Sequence, residues 1–263
     1  MGTASLKRTL VGFVFVAACA SAAPLCTSVV STAADFQAQG NVGCQFGDKI
    51  FYGFTYSYTL QDSQGNPLAP NVPGASVAVQ FSNLGSLVYQ PVVSFIANWG
   101  VEDGQQGDVR ISYSVQAPIQ GAMIASTFSI SGFTSNIDPD NLFNSYISGA
   151  EAVSGNTLNA VPLNTILQPP LTPSGSVFLT DYDIVNYAPQ TLLSVTKDIF
   201  IVAGTDNSPN PGNTATLTRI DQGLIELTSI PEPFSFILLG SGLVCMALLR
   251  KPIGKSKVSR RAI

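Results

Sequence analysis

Runs of alternating apolar and polar residues recur along most of the chain and predict β-strands. The clearest is residues 109–115 (VRISYSV), in which every second residue is apolar, as expected of a strand with one buried and one solvated face. Alternating or β-branched runs also lie at residues 50–60, 75–81, 87–99, 108–116, 122–133, 176–180, 192–203 and 215–228. Turn-forming segments such as residues 64–67 (QGNP) separate them. Many short strands at this spacing predict an all-β fold, an antiparallel β-sandwich or jelly-roll-like domain.

Two segments of the central region depart from this pattern. Residues 139–152 (PDNLFNSYISGAEA) predict a short helix, with Asp138 as N-cap and Pro139 in its first turn. Residues 162–173 are rich in proline and predict a loop. No recurring period indicates a repeat protein.

The first 22 residues have the layout of a secretory signal peptide. Lys7 and Arg8 precede an apolar run at residues 9–18, which is too short to cross a bilayer. Residues 20–22 (ASA) then form an A-x-A cleavage site. An alternative interpretation is a lipoprotein signal, in which Cys19 is lipidated after cleavage. Both interpretations place the body of the protein outside the cytoplasm.

The other end of the chain predicts one transmembrane helix. Residues 234–249 are uncharged and mostly apolar, and a helix of that length is ~24 Å long. The bilayer core is ~30 Å thick, and flanking basic side chains can close the difference by snorkelling. Arg250 and Lys251 begin a basic tail, which is expected to remain cytoplasmic and to stop transfer.

Pro231, Glu232 and Pro233 lie directly before this apolar segment. Proline fixes φ and disfavours helix in the preceding residue, so an extended strip is expected at the membrane surface. The combination of Pro-Glu-Pro, a short glycine-interrupted span and a basic tail over residues 230–263 resembles the PEP-CTERM sorting domain. Two features depart from the family pattern: Phe234 stands where serine is common, and the tail is longer than usual.

The resemblance implies that an exosortase, a membrane protease-transpeptidase, recognises this segment. The exosortase would cleave near the motif and release the body from the inner-membrane-anchored precursor to the cell surface or extracellular space. The body would then occupy residues 23–229, between the signal peptide (1–22) and the sorting signal (230–263). The membrane would be contacted through residues 234–249.

Composition excludes several chemistries. The 263 residues contain no histidine, which removes Ser-His-Asp triads, Cys-His dyads and histidine-based zinc sites. Residues 23–229 hold fifteen acidic and four basic residues, a net charge of −11 by count. This charge argues against nucleic acid as a partner. It is compatible with extracellular polysaccharide, calcium or simple solubility.

The cysteines divide by compartment. Cys19 lies in the signal peptide and Cys245 in the predicted span, which leaves Cys26 and Cys44 alone in the exported body. A disulfide between them is therefore expected in an oxidising compartment.

Other candidate chemistry is weak. Residues 194–197 (SVTK) match the S-x-x-K motif, but in a strand positions i and i+3 point to opposite faces. The local acidic pairs, which could hydrolyse glycosides, and the possible calcium ligands are more typical of turns and strand edges. A single tryptophan on a strand is more often core than a sugar platform. These residues are the pairs Glu102–Asp103, Asp138–Asp140 and Asp181–Asp183, the possible calcium ligands Asn141, Asp206 and Asn207, and the aromatic residues Tyr89, Phe95 and Trp99.

The sequence therefore predicts an exported, non-enzymatic surface or matrix protein with no catalytic residue, metal or cofactor. The alternative is a carbohydrate-binding or adhesin module at the cell surface. A secreted glycan-cleaving enzyme is a third hypothesis.

Overall fold

The structure, a computed structural model, describes residues 23–84, 90–118, 121–136, 145–169, 174–204 and 212–226. These residues form two packed antiparallel sheets, which confirms the predicted all-β sandwich. The twelve strands are β1 (Cys44–Phe46), β2 (Lys49–Gln61), β3 (Pro67–Leu68), β4 (Ala78–Asn83), β5 (Pro91–Glu102), β6 (Gln106–Gln116), β7 (Met123–Asn136), β8 (Tyr146–Gly155), β9 (Val161–Leu167), β10 (Ser174–Gln190), β11 (Leu192–Val202) and β12 (Thr214–Glu226).

Sheet A and sheet B face each other across one hydrophobic core. Sheet A has the order β1-β2-β6-β11-β8-β9, with β3 paired to β2, and sheet B has the order β10-β7-β12-β5-β4. The strands alternate as their sequences predict: Leu193, Val195, Ile199 and Ile201 of β11 are buried, while Ser194, Thr196, Asp198 and Phe200 are exposed. The predicted strands at residues 50–60, 108–116 and 192–203 match β2, β6 and β11 closely.

The segment before β1 contains two short helices, α1 (Cys26–Val29) and α2 (Ala33–Ala38), which the sequence patterns did not predict. Thr32 and Asp35 form a capping box that starts α2. Phe36 of α2 enters the core and stacks on Phe54 with a centroid separation of 4.4 Å. The predicted disulfide between Cys26 and Cys44 is confirmed and joins α1 to β1.

The helix predicted over residues 139–152 is wrong where the structure describes it, because residues 146–152 belong to β8. Residues 137–144 lie outside the described residues. The pattern is hard to recognise because Gly149 and Glu151 occupy inward positions where apolar residues are expected. Gly149 is needed there: a Cβ at this position would lie 2.8 Å from the ring of Phe128.

The loop predicted over residues 162–173 is also wrong in part, because residues 162–167 belong to β9. Pro162 is tolerated because β9 is an edge strand of sheet A: among the described strands it pairs with β8 on one side and has no strand on the other. Leu163 and Leu167 face the core, which is the signal that the prolines obscured.

Candidate functional site

Aromatic side chains lie exposed on the outer face of sheet B, at the edge formed by β10. Phe178 of β10 and Phe133 of β7 are directly opposite each other, with ring centroids 5.0 Å apart. Tyr182 follows Phe178 on the same face, about 13 Å further along the strand. The exposed fractions are 54% for Phe178, 40% for Phe133 and 72% for Tyr182. Rings this exposed contribute little to the core, and the two phenylalanines contact each other at the surface of the sheet.

The row that contains the two phenylalanines continues across the sheet into a polar cleft. Phe133 is opposite Thr216 of β12, and Thr216 is opposite Gly100 of β5. Thr216 and Gly100 line a cleft of about 430 Å³. Gly100 presents no side chain to the cleft, and a Cβ there would contact only Thr216 Oγ1, at 3.5 Å. The cleft is also lined by Leu60, Asn71, Asn98, Val101, Glu102, Gln105 and Thr214.

Glu102 is the unpaired acid of this cleft. Its backbone N–H donates to Gln105 Oε1 at 3.2 Å, but within the described part of the chain its carboxylate has neither a hydrogen-bond nor an ion-pair partner. Its neighbour Asp103 differs, because Asp103 Oδ1 accepts hydrogen bonds from the backbone N–H groups of Asn213 and Gly212. The predicted Glu102–Asp103 pair therefore separates into one residue that faces the cleft and one that holds a loop.

Polar groups lie next to the exposed aromatic rings on the outer face of sheet B. Ser131 Oγ and Thr180 Oγ1 share a hydrogen bond of 3.0 Å between β7 and β10. Arg219 Nε donates to both oxygens of Asp221, and Arg219 also donates to Ser94 Oγ at 3.1 Å. The outer face of sheet B therefore carries an aromatic strip, formed by Phe133, Phe178 and Tyr182 at one edge, with hydroxyl and charged groups beside it.

A second cluster lies on the outer face of sheet A. Arg110 contacts Asp108 at 2.8 Å and Asp198 at 3.5 Å. Burial and the neighbouring Asp198 carboxyl raise the pKa of Asp108 to about 6, against the opposing effect of Arg110. A raised carboxyl pKa is typical of general acids. Here, however, the Arg110 side chain occupies the position between the two acids.

The remaining acidic candidates have structural partners or lie outside the described residues. Asp181 Oδ2 accepts the backbone N–H of Ile166, and Asp183 Oδ2 accepts that of Asn164, each at 2.9 Å. These carboxylates of β10, the edge strand of sheet B, therefore bond the exposed edge of β9 in sheet A and join the two sheets along that side. The residues Asp138, Asp140, Asn141, Asp206 and Asn207 lie outside the described residues.

Two other candidates have structural roles. Ser194 is exposed whereas Lys197 is fully buried, so the S-x-x-K match places its two residues on opposite faces of β11. Trp99 is also fully buried, as expected of a core residue, and its Nε1–H donates to Tyr56 Oη at 2.9 Å. Phe95 lies in the same core, and Tyr89 is outside the described residues.

The sorting residues Pro231, Glu232, Pro233, Arg250 and Lys251 and the apolar segment at residues 234–249 lie outside the described residues, as does the signal peptide. Among the residues that the structure does describe, no helix is long and apolar enough to cross a membrane. In the same part of the chain, no group of three or more Cys, Asp or Glu side chains is arranged to hold a metal ion.

The sequence did not reveal the aromatic strip or the partnership of Asp108 with Asp198. Phe133 and Phe178 lie in separate strands, and only the register of β7 with β10 brings them together. The alternation of Tyr182 with Asp181 and Asp183 would by itself place the tyrosine inward, so the sequence carries no signal for its exposure.

No family model matches the sequence, and no curated protein matches it. Solved structures match in part. The enzymatically active domain of tailspike protein 4 from bacteriophage CBA120 is 15% identical, with 65% of this chain and 19% of that chain covered and a TM-score of 0.27. This chain therefore spans about a fifth of that protein's length. TmCBM61 in complex with β-1,4-galactotriose is 10% identical, with 64% and 86% covered and a TM-score of 0.28. A family 16 carbohydrate-binding module is 10% identical, with 55% and 84% covered and a TM-score of 0.21. At these TM-scores, none of the three bears on the function of this chain.

Proposed function

We propose that the body is a non-catalytic carbohydrate-binding module of the cell surface or extracellular matrix. The observation that carries the proposal is the continuous row Phe178–Phe133–Thr216–Gly100, which joins exposed aromatic rings to a polar cleft. Aromatic rings pack against the apolar C–H faces of sugar rings, and clefts with a few polar groups orient the hydroxyls. In this cleft Glu102 is placed to accept hydrogen bonds from sugar hydroxyls.

The disulfide agrees with an exported location. Cys26 and Cys44 are both fully buried and bonded to each other, and such bonds persist in oxidising compartments. The ligand is therefore proposed to be an extracellular polysaccharide.

The binding proposal is tested on a glycan array, with and without calcium, followed by calorimetry on the polysaccharide that binds. Phe178→Ala and Phe133→Ala are each expected to weaken binding about tenfold, the effect of losing ~1.4 kcal/mol of aromatic contact. Glu102→Gln is expected to weaken binding while preserving the fold. The matched control is Phe200→Ala, which removes a 39%-exposed ring from the opposite sheet. Equal losses in Phe200→Ala and Phe178→Ala would contradict the proposed site.

We further propose that exosortase sorting delivers this module. The support is the three-part arrangement of residues 230–263 and the position of β12, whose last residue, Glu226, shortly precedes Pro231. The test is mass mapping of the C-terminal peptide of extracellular protein, in cells with and without an exosortase. Processed material is expected to end near the Pro-Glu-Pro motif. Extracellular protein that retains residues beyond Leu249 would contradict sorting and leave the binding proposal intact.

A further inference from the structure

A buried polar cluster connects the two sheets at the centre of the sandwich. Lys197 of β11 is completely buried and forms an ion pair with Glu151, its cross-strand neighbour on β8. Lys197 Nζ also donates to Oε1 of Gln222 at 2.5 Å, and Gln222 belongs to β12 of the opposite sheet. The ring of Phe128 covers the ammonium group, with its centroid 4.4 Å from Nζ. An amine, a carboxyl and a carboxamide therefore meet in a site closed to water.

This arrangement is costly as a purely structural element. Burying an ion pair requires desolvation that its Coulomb attraction offsets only with complete hydrogen bonding, yet among the described residues Glu151 Oε1 has no hydrogen-bond partner. The hydroxyl of Tyr113, which is fully buried near Glu151, also has no hydrogen-bond partner in the part of the chain that the structure describes. Binding at the surface of sheet B makes no use of these groups.

Burial also changes the protonation of the pair. Desolvation lowers the pKa of Lys197 and raises the pKa of Glu151, in each case against the opposing effect of the partner's charge. Transfer of a proton from Lys197 to Glu151 converts the ion pair into a neutral amine and a neutral acid. A neutral, desolvated lysine amine is a nucleophile.

We propose that Lys197 and Gln222 form an intramolecular amide bond that joins sheet A to sheet B, with Glu151 as the acid–base group. In the first step the Glu151 carboxylate takes a proton from the Lys197 ammonium. The amine lone pair then attacks Cδ of Gln222, and the π electrons of the carbonyl move onto Oε1.

The tetrahedral intermediate collapses when a proton passes from the attacking nitrogen to Nε2 through Glu151. The carbonyl reforms, the Cδ–Nε2 bond breaks and ammonia leaves. The net change is one new Nζ–Cδ bond, one broken Cδ–Nε2 bond and a Glu151 that remains as the neutral acid. No oxidant, cofactor or energy source is required.

The register supports Gln222 as the acceptor. Lys197 and Glu151 are neighbours within one sheet, whereas Gln222 approaches the same nitrogen from the other sheet. The Gln222 carboxamide also opposes the rise in the pKa of Glu151, and its Nε2, the group that leaves, donates to the backbone carbonyl of Gly223 at 3.2 Å. The bond would connect β11 and β12, which are interior strands of their sheets.

The test is peptide mapping of the full-length protein after denaturation and disulfide reduction. Trypsin does not cleave after an acylated lysine. The cross-linked chain is therefore expected to resist cleavage at Lys197 and to yield a branched peptide lighter by one ammonia than its two parts. Unmodified Lys197 and Gln222 peptides from folded wild-type protein would overturn the proposal, as would a link to Glu151 with loss of water.

Two variants separate the roles. Glu151→Gln keeps the shape of the side chain but removes the acid–base group, so at least a tenfold lower yield of branched peptide is expected. Lys49→Arg is the matched control: Lys49 is also completely buried and paired with acids, Asp48 and Glu226. The branched peptide should persist in this variant. Full cross-linking in Glu151→Gln would overturn the role of Glu151.

Discussion

At the residue scale, the protonation of Asp108 links the surface of sheet A to stability. The pKa of Asp108 is raised to about 6 from an ordinary value of 3.8, mainly by burial and then by Asp198. Between these two values the folded state therefore binds more protons than the unfolded chain. The contribution of Asp108 to the free energy of unfolding is therefore fully present below pH 4 and is lost as the pH rises through 6.

Urea denaturation of wild type and Asp108→Asn between pH 4 and pH 7 checks this. The variant cannot titrate at this position, so its free energy of unfolding should decline less over the same range. Asp62→Asn is the contrasting control. Hydrogen bonds from Asn66 lower the pKa of Asp62, which gives stability that is lost as the pH falls. Parallel pH profiles for wild type and Asp108→Asn would contradict the assignment.

Residue identity alone indicates some of these roles and not others. The Cys26–Cys44 bond and the burial of Trp99 were predictable, because compartment and residue type decide them. The contacts of Lys197 were not, because Glu151 and Gln222 are distant in the sequence and only the packing of two sheets brings them to one atom.

At the element scale, the segment before β1 is attached to the sandwich by a disulfide and by backbone hydrogen bonds, and of these only the disulfide could be predicted from the sequence. The disulfide joins α1 to β1, and Gln45 donates its backbone N–H to the carbonyl of Pro24 at 2.7 Å. Replacing both Cys26 and Cys44 by alanine should lower the free energy of unfolding by ~3 kcal/mol, the loop-closure contribution of a bond this short in sequence.

Chemical denaturation of the double variant measures the decrease in the free energy of unfolding. The same measurement on reduced wild-type protein gives an independent value. The two should agree to within about 1 kcal/mol. Identical denaturation midpoints for oxidised and reduced wild-type protein would contradict this prediction. They would show that the packing of α1 and α2, mainly through Phe36, is enough to keep the segment in place without the disulfide.

The seam between β9 and β10 is the other element-scale feature. Asp181 and Asp183 accept backbone N–H groups of β9 that a neighbouring strand would otherwise bond, so these carboxylates satisfy the exposed edge of sheet A. Changing both to alanine should cost about 1–3 kcal/mol and accelerate hydrogen exchange at Ile166 and Asn164.

Hydrogen exchange with residue resolution provides the measurement. Thr180→Ala is the matched control, because Thr180 lies in the same strand and faces away from β9. Unchanged exchange at Ile166 and Asn164 in the double alanine variant would show that these carboxylates do not protect the edge.

Strands with regular alternation, such as β6 and β11, follow from the sequence, whereas β8 and β9 do not. In β8 a glycine and a buried glutamate replace the expected apolar residues, and in β9 a proline masks an edge strand. Both failures come from tertiary contacts: the ring of Phe128 against Gly149, the charge of Lys197 against Glu151, and the edge position of Pro162.

At the scale of the whole molecule, the charge distribution is more one-sided than the net value of −4 indicates. Each of the four cations of the body is already paired with an acid: Lys49 with Glu226, Arg110 with Asp108, Lys197 with Glu151 and Arg219 with Asp221. The acids that remain, such as Glu102, repel one another at the surface. Self-repulsion of this kind destabilises a compact state and is screened by salt.

The free energy of unfolding is therefore expected to rise as sodium chloride increases from about 10 mM to about 150 mM, a range in which the screening length falls from ~30 Å to ~8 Å. Glu102→Gln removes one unpaired charge, so its stability should exceed that of wild type at low salt and approach it at the higher concentration. Thermal unfolding of both proteins across this range provides the measurement. A loss of stability with added salt would show instead that the exposed pairs of Arg110 and Arg219 outweigh the repulsion among the unpaired acids.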